Sequence, residues 1–130
     1  MPASEINRRQ FERFALAPMY TLVSVRMLDD DQFALDGHAY DISEGGCQFE
    51  LDKPIAPGTQ IAMQVTLPMG MRADDIGPGR SIFVLGNVVW LDDDGFGPVR
   101  MAVAFTRFAR LGDKERLMRQ LGQGRLQRVA

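Results

Sequence analysis

The chain has 130 residues, a length that suits one domain with its own hydrophobic core. Its net charge is -2. No apolar run approaches the roughly 20 residues of a membrane helix, and the N-terminus lacks the apolar region of a secretory signal, so the sequence predicts a soluble, cytoplasmic protein without membrane insertion. A single cysteine excludes an internal disulfide and a multi-cysteine metal site, and we expect no cofactor.

Six short segments with β-type sequence follow an N-terminal arm at residues 1–15. Alternation is clearest in QIAMQVTL, where Ile61, Met63, Val65 and Leu67 point to one side and their polar neighbours to the other. Polar and glycine-containing turns separate the segments, and no connection contains a helix long enough for a parallel crossover. The sequence therefore predicts an antiparallel barrel or sandwich, with strands at 19–28, 33–41, 46–51, 59–67, 81–91 and 99–106.

Near the end of the sequence, the spacing of apolar residues changes from the alternation of strands to that of a helix. Gly112 and Asp113 form a predicted stop and N-cap for a short helix that ends by Gly122 or Gly124. Three apolar residues share one side of this helix, namely Leu117, Met118 and Leu121. We expect the helix to close one end of the β-structure, which gives an all-β fold with a C-terminal helix.

The remaining parts of the sequence show neither the alternation of a strand nor the apolar spacing of a helix. The arm at 1–15 is polar and charged, with Phe11 and Phe14 as the expected points of attachment to the body. The segment PMGMRADDIGPGR, 68–80, is predicted to be a mobile loop. The predicted organisation is therefore an arm, a body and a frayed tail, at 1–15, 16–124 and 125–130.

Residues that commonly bind metals or catalyse reactions are few. Cys47 lies in an alternating segment and is predicted to be buried and inert, and His38 has no second ligand of matching spacing. DDDG at 92–95 lacks the glutamate that ends a calcium loop and is predicted to be a solvated hairpin turn. The sequence contains no nucleophile elbow and no P-loop, so we do not expect an enzyme.

The charge is unevenly distributed. Residues 29–95 carry 13 acids against three bases, whereas residues 100–130 carry eight bases against two acids. This pattern does not suit the broad basic face of a duplex-DNA binder, but it suits a small anionic ligand held by the basic arm. Two tyrosines and one tryptophan do not favour a single-stranded nucleic-acid surface either. We therefore expect no DNA or RNA partner.

Two motifs are informative together. NRRQFERF places Arg9 and Arg13 four residues apart, a spacing expected about once by chance in a chain this rich in arginine. YDISEGGCQFE contains Asp41, Ser43 and Gly46 as D-x-S-x-x-G, which chance supplies in about one chain in 30 of this composition. The arginine pair stands just before the first predicted strand, and the second motif lies between the second and third.

This combination resembles the PilZ domain family, whose members bind the bacterial second messenger cyclic di-GMP. The resemblance covers nearly the whole chain and extends to PIAPGTQIAMQVTLP, GNVVWLDDDG with Trp90 on the fifth strand, MAVAFTRF on the last strand, and the closing helix. It implies a six-stranded antiparallel β-barrel with a flexible arm. It also implies a cyclic di-GMP receptor or adaptor whose arm becomes ordered on the ligand and which signals to a protein partner.

The resemblance further implies a set of ligand-binding residues, which are Arg8, Arg9, Arg13, Asp41, Ser43, Gly45 and Gly46. A guanidinium can bond guanine O6 and N7 together, hold a phosphate or stack on a base. Asp41 can accept from guanine N–H groups or hold an arginine, Ser43 can donate or accept, and Gly45 and Gly46 permit positive φ or close backbone approach. In the family an arginine in the place of Arg8 accompanies two stacked ligands, so two ligands per chain are predicted.

Alternatives stay open at this point. Asp41 and Ser43 could cap their own turn, and Gly45 and Gly46 could mark a β-bulge. The chain could also be a PilZ-like scaffold for protein interactions that does not bind nucleotide. Loss of the motif arginines would mark such a scaffold, and they are present here.

Overall fold

The computed structural model describes residues 12–16, 21–67, 81–93, 95, 97–122 and 128. Seven strands and one helix follow one another within these ranges. In chain order they are β1 (Phe14–Ala15), β2 (Leu22–Met27), β3 (Leu35–Ser43), β4 (Gly46–Leu51), β5 (Gln60–Thr66), β6 (Ser81–Asp92), β7 (Val99–Phe108) and α1 (Asp113–Gly122).

Six of these strands form a closed antiparallel barrel. The order around the sheet is β3, β2, β5, β6, β7 and β4, and β4 pairs with β3 to close it. Every neighbouring pair is antiparallel, which short connections allow. The predicted six-stranded barrel with a C-terminal helix is confirmed, and β1 is an additional short strand that the sequence did not predict.

The barrel interior is filled by one face of each strand. In β5 the side chains of Ile61, Met63 and Val65 are fully buried, whereas Gln64 and Thr66 are partly exposed, so the predicted alternation is confirmed except at Ala62, which is also buried. Burying a large apolar side chain stabilises the fold by about 1.5–3 kcal/mol. The other large side chains with the deepest burial include Phe49, Ile42, Leu51, Leu67, Ile82, Met101 and Leu117.

The residues described between β6 and β7, which are Asp93, Gly95, Gly97 and Pro98, belong to the hairpin turn that leads into β7. The backbone N–H of Gly95 donates to Oδ1 of Asp93 at 2.9 Å. Gly95 and Gly97 have φ of 84° and 70°, a conformation that residues with a Cβ rarely adopt. The predicted solvated turn is confirmed for Asp93 and Gly95, which are exposed, whereas Asp92 still belongs to β6 and Asp94 lies outside the described residues. The predicted loop at 68–80 lies outside the described residues.

Helix α1 packs against β6 through part of its predicted apolar side. Leu117 and Leu121 are buried, but Met118 is 38% exposed, so its predicted place on the buried side is wrong. Consecutive residues lie about 100° apart around a helix, which turns Met118 away from the side that Leu117 buries. No helix in the described part of the chain is long and apolar enough to cross a membrane.

The carboxylate of Asp113 anchors α1 to the barrel. It is fully buried and accepts hydrogen bonds from the backbone N–H of Phe83 at 2.9 Å, from Arg110 at 3.0 Å and from Arg116 at 2.8 Å. Arg110 also donates to the backbone oxygen of Ser81 at 2.8 Å and lies 4.3 Å over the Phe83 ring. The helix begins at Asp113 as predicted, but the predicted capping role of its side chain is wrong because these bonds go to β6 and two arginines.

Residues near both ends of the sequence meet beside the barrel. Phe14 forms an isolated antiparallel bridge with Arg128, whose Nε lies 3.1 Å from a carboxylate oxygen of Glu12. Phe14 is buried, as expected for an attachment point, and Phe11 lies outside the described residues. The boundaries of arm, body and tail stay a prediction.

Candidate ligand-binding site

The D-x-S-x-x-G residues lie on the hairpin between β3 and β4. Asp41 and Ser43 belong to the end of β3, and Gly46 is the first residue of β4. Ser43 pairs with Gly46 across the hairpin, which leaves Glu44 and Gly45 as the turn. The strand therefore continues two residues beyond its predicted end at 41, and the acid and the hydroxyl stand on a strand rather than in a loop.

Hydrogen bonds fix the tip of this hairpin. The Ser43 hydroxyl accepts from the backbone N–H of Gly45 at 3.0 Å and lies 3.5 Å from the backbone oxygen of Gly46. The backbone N–H of Phe105 on β7 donates to the backbone oxygen of Gly45 at 2.9 Å. Ser43 thus makes the turn-capping contact that its sequence position allowed. The result is a hairpin tied both to itself and to the neighbouring strand, which gives Asp41 a rigid support.

Gly46 is required by the close approach of β4 to β7. A Cβ built at this position would lie 2.4 Å from the backbone oxygen of Val103, far inside van der Waals contact, while the φ of Gly46 is not in the positive range. Of the two roles considered for this glycine, the structure shows close backbone approach. A larger residue here would force β4 and β7 apart beneath the hairpin.

The short strand β1 brings the arm to Asp41. β1 pairs antiparallel with the end of β3, and Ala15 lies opposite Asp41. Nη1 of Arg13 is 4.0 Å from Oδ2 of Asp41, an ion pair looser than a direct hydrogen bond. The Asp41 side chain is 12% exposed and that of Arg13 is 28% exposed. Nε of Arg13 is buried and makes no hydrogen bond within the described structure.

Five of the seven residues implied by the resemblance therefore come together at one end of the β3–β4 hairpin. They are Arg13, Asp41, Ser43, Gly45 and Gly46. Arg8 and Arg9 lie outside the described residues.

The thiol beside this site is not a reactive group. Cys47 is buried in the core, as predicted. Burial raises the pKa of the Cys47 thiol well above its usual range, and the nearby Asp41 carboxylate raises this pKa further. The thiol therefore stays protonated at neutral pH and is a poor nucleophile. Across the described ranges, no three His, Cys, Asp or Glu side chains are placed to hold a metal ion.

A β-bulge adds residues that the sequence analysis missed. The pairing of β3 with β4 shifts between Ala39 and Asp41, which leaves Tyr40 as the extra residue. The Tyr40 hydroxyl donates to the Glu50 carboxylate, and the Arg100 guanidinium lies 4.0 Å over the Tyr40 ring. The spacing of apolar residues, whether that of strands or that of helices, does not reveal a β-bulge, because one inserted residue breaks the alternation only locally. This cluster could therefore be found only from the structure.

Comparisons with known proteins agree with this fold. The family model for the PilZ domain matches residues 7–123. No curated protein sequence is similar enough to match. The Bacillus subtilis inhibitor of motility, MotI/DgrA, superposes with a TM-score of 0.62 at 21% identity, covering 91% of this chain and 54% of that one.

Two further solved structures were determined with a ligand. The PilZ domain of YcgR from Escherichia coli with cyclic di-GMP has a TM-score of 0.61 at 19% identity, with coverage of 86% of this chain and 87% of that one. The MrkH–cyclic di-GMP complex from K. pneumonia has a TM-score of 0.57 at 18% identity, with coverage of 88% and 50%. At these identities the likeness shows the fold alone. The chain spans about half the length of MotI/DgrA and MrkH.

Proposed function

Because the chain belongs to the PilZ domain family, we propose that it is a receptor for cyclic di-GMP that acts on a protein partner. The observation that carries the proposal is the Arg13–Asp41 pair, which β1 and the rigid β3–β4 hairpin hold together beside the D-x-S-x-x-G residues. Two of the solved structures with this fold are complexes with the same ligand.

The chemistry of the pair suits a guanine nucleotide. Asp41 offers carboxylate oxygens to the N–H donors of guanine, and Arg13 offers donors to a phosphate or to guanine O6 and N7. A buried donor without an acceptor costs about 1–3 kcal/mol, and Nε of Arg13 is such a donor. A ligand phosphate or carbonyl at this position would remove that cost. The loose contact of 4.0 Å also allows the guanidinium to turn toward a ligand.

We propose that Arg8 and Arg9 complete the site when the arm becomes ordered over the ligand. Ordering backbone costs about 1–2 kcal/mol per residue. Phe14 and Ala15 already pair with β3, so the cost falls only on the residues before them. The ordered arm would change the surface that the barrel presents to a protein partner.

Titration calorimetry with cyclic di-GMP tests the receptor directly. We expect a dissociation constant in the micromolar range or below, rising with salt because screening weakens contacts to phosphate. Cyclic di-AMP is the control ligand, since it has the same phosphates but lacks the guanine O6 acceptor and is expected to bind more weakly. Absence of both heat and thermal shift would contradict the proposal and favour a scaffold that does not bind nucleotide.

The same titration reports the number of ligands. We propose two per chain, because a third cation at Arg8 helps to offset the charge of four phosphates. The Arg8→Ala variant is then expected to bind one ligand. A ratio of one for the unsubstituted protein would contradict the second ligand and leave the receptor proposal in place.

Hydrogen exchange tests the ordering of the arm. Saturating cyclic di-GMP is expected to slow exchange of the amides in residues 6–11, because they gain contacts with the ligand and the barrel. Amides in the core of β5 serve as the control, since they are protected with or without ligand. Unchanged exchange across residues 6–11 in saturating ligand would contradict the ordering.

A further inference from the structure

We propose that Arg100 is a further ligand-binding residue, which contacts a phosphate of the bound dinucleotide from the outer face of the barrel. The proposal rests on the proposed function. It assigns a role to the Tyr40–Glu50–Arg100 cluster, which neither motif includes.

The strand register places Arg100 on the same face as Asp41. Gln48 pairs with Asp41, and Glu50 pairs with Arg100. Gln48 and Glu50 are two residues apart on β4 and so share a face, which is the outer one because the alternate residues of β4, Cys47, Phe49 and Leu51, are buried in the core. The Asp41 and Arg100 positions thus lie on the same face of the barrel, separated by about 7 Å along the strands and, because β4 lies between β3 and β7, by about 10 Å across them.

The bulge connects the two positions. Tyr40 directly precedes Asp41, and its ring extends beneath the Arg100 guanidinium at 4.0 Å. The Tyr40 hydroxyl is in turn held by the Glu50 carboxylate. The aromatic ring therefore holds a cation on the same face of the barrel as Asp41, the residue that is proposed to bind guanine. A guanidinium held by stacking loses less rotational freedom when a ligand binds.

The hydrogen-bonding edge of Arg100 is available for a ligand. The residues opposite it are both acids, Glu50 on β4 and Asp92 on β6, yet neither forms an ion pair with it in the described structure. A purely structural arginine between two carboxylates would be expected to bridge to one of them. Here the residue is exposed and stacks on Tyr40, and its N–H donors form no hydrogen bond or ion pair with the described residues. The planar guanidinium group of an arginine can donate two parallel N–H hydrogen bonds to two oxygens of one phosphate.

Calorimetry with cyclic di-GMP on Arg100→Ala tests the assignment. We expect affinity to fall about 10- to 100-fold, the effect of losing a charge-assisted bidentate contact. Arg100→Lys is expected to recover only part of this loss, because an ammonium keeps the charge but cannot bond both oxygens in one plane. Arg107→Ala is the matched control: Arg107 is an exposed cation on the same strand, opposite Leu85 and outside the cluster, and its loss should change affinity less than twofold.

Salt dependence identifies the contacted group. If Arg100 contacts phosphate, the ratio between the dissociation constants of Arg100→Ala and the unsubstituted protein should shrink as salt rises. A ratio that does not change with salt overturns the phosphate contact. Affinity of Arg100→Ala within twofold of the unsubstituted protein, or an equal loss in Arg107→Ala, overturns the role of Arg100 and leaves the receptor proposal standing. Absence of binding by the unsubstituted protein overturns both.

Discussion

Replacing Asp41 with alanine is expected to weaken cyclic di-GMP binding by about 100-fold or more. A hydrogen bond to a charged group contributes about 1.5–3 kcal/mol, and each 1.4 kcal/mol is a factor of ten in affinity. The substitution removes the acceptor proposed for the guanine N–H donors. It also removes the ion-pair partner that keeps Arg13 at the site. Titration calorimetry on the purified variant measures the loss.

Two variants make this result specific. Asp36 lies on the same strand as Asp41 but is exposed and accepts a hydrogen bond from Ser24 at 2.8 Å, so Asp36→Ala should bind cyclic di-GMP like the unsubstituted protein. Asp41→Asn keeps the shape and one acceptor oxygen but loses the charge and replaces the second acceptor with a donor, so it should restore only part of the binding. Affinity of Asp41→Ala within tenfold of the unsubstituted protein would show that Asp41 does not bind the base.

The largest loss of stability is expected for Asp113→Ala. This carboxylate is fully buried and is shared by the backbone N–H of Phe83 and the guanidinium groups of Arg110 and Arg116. Removing one partner of a buried charge network costs about 3–5 kcal/mol because the remaining groups lose their compensation. For a domain of this size that corresponds to a fall in Tm of roughly 10–20 °C. Thermal unfolding followed by circular dichroism measures the change.

Glu115→Ala is the matched control for this experiment. Glu115 is an exposed acid in the same first turn of α1, so its loss should cost no more than about 1 kcal/mol from the helix dipole. Asp113→Asn should be intermediate, since it keeps an acceptor for the Phe83 N–H but not the charge. If Asp113→Ala and Glu115→Ala unfold within about 3 °C of each other, α1 is not anchored by this carboxylate.

The barrel could be predicted from the sequence because its strands are long enough to show a period. β4 was predicted at its observed bounds and β5 to within a residue at each end, since apolar residues recur at every second position in both. β1 has two residues and therefore no period at all. Asp113 had the sequence environment of a cap, but its actual partners on β6 lie about thirty residues away, and local patterns do not report such contacts.

The sequence motifs indicated residues that the structure brings together, but they did not indicate the geometry in which these residues lie. The motifs indicated Arg13, Asp41 and Ser43, and the structure places all three together. That Asp41 stands on a strand beside a bulge follows from the pairing of β3 with β4, which no single segment determines. The cation stacked on Tyr40 comes from β7, about sixty residues later, and so had no signal in either motif.

The pairing of β1 also matters for how the arm can be tested. β2 pairs with β3 only as far as His38, and β1 pairs with the same edge at Asp41 and Ile42. β1 thus covers backbone N–H and C=O groups that would otherwise form an open strand edge, where another chain can add a strand and start aggregation. Deleting the arm through residue 16 would uncover this edge beside the ligand site. Single arginine substitutions leave the edge protected, so they separate ligand recognition from self-association.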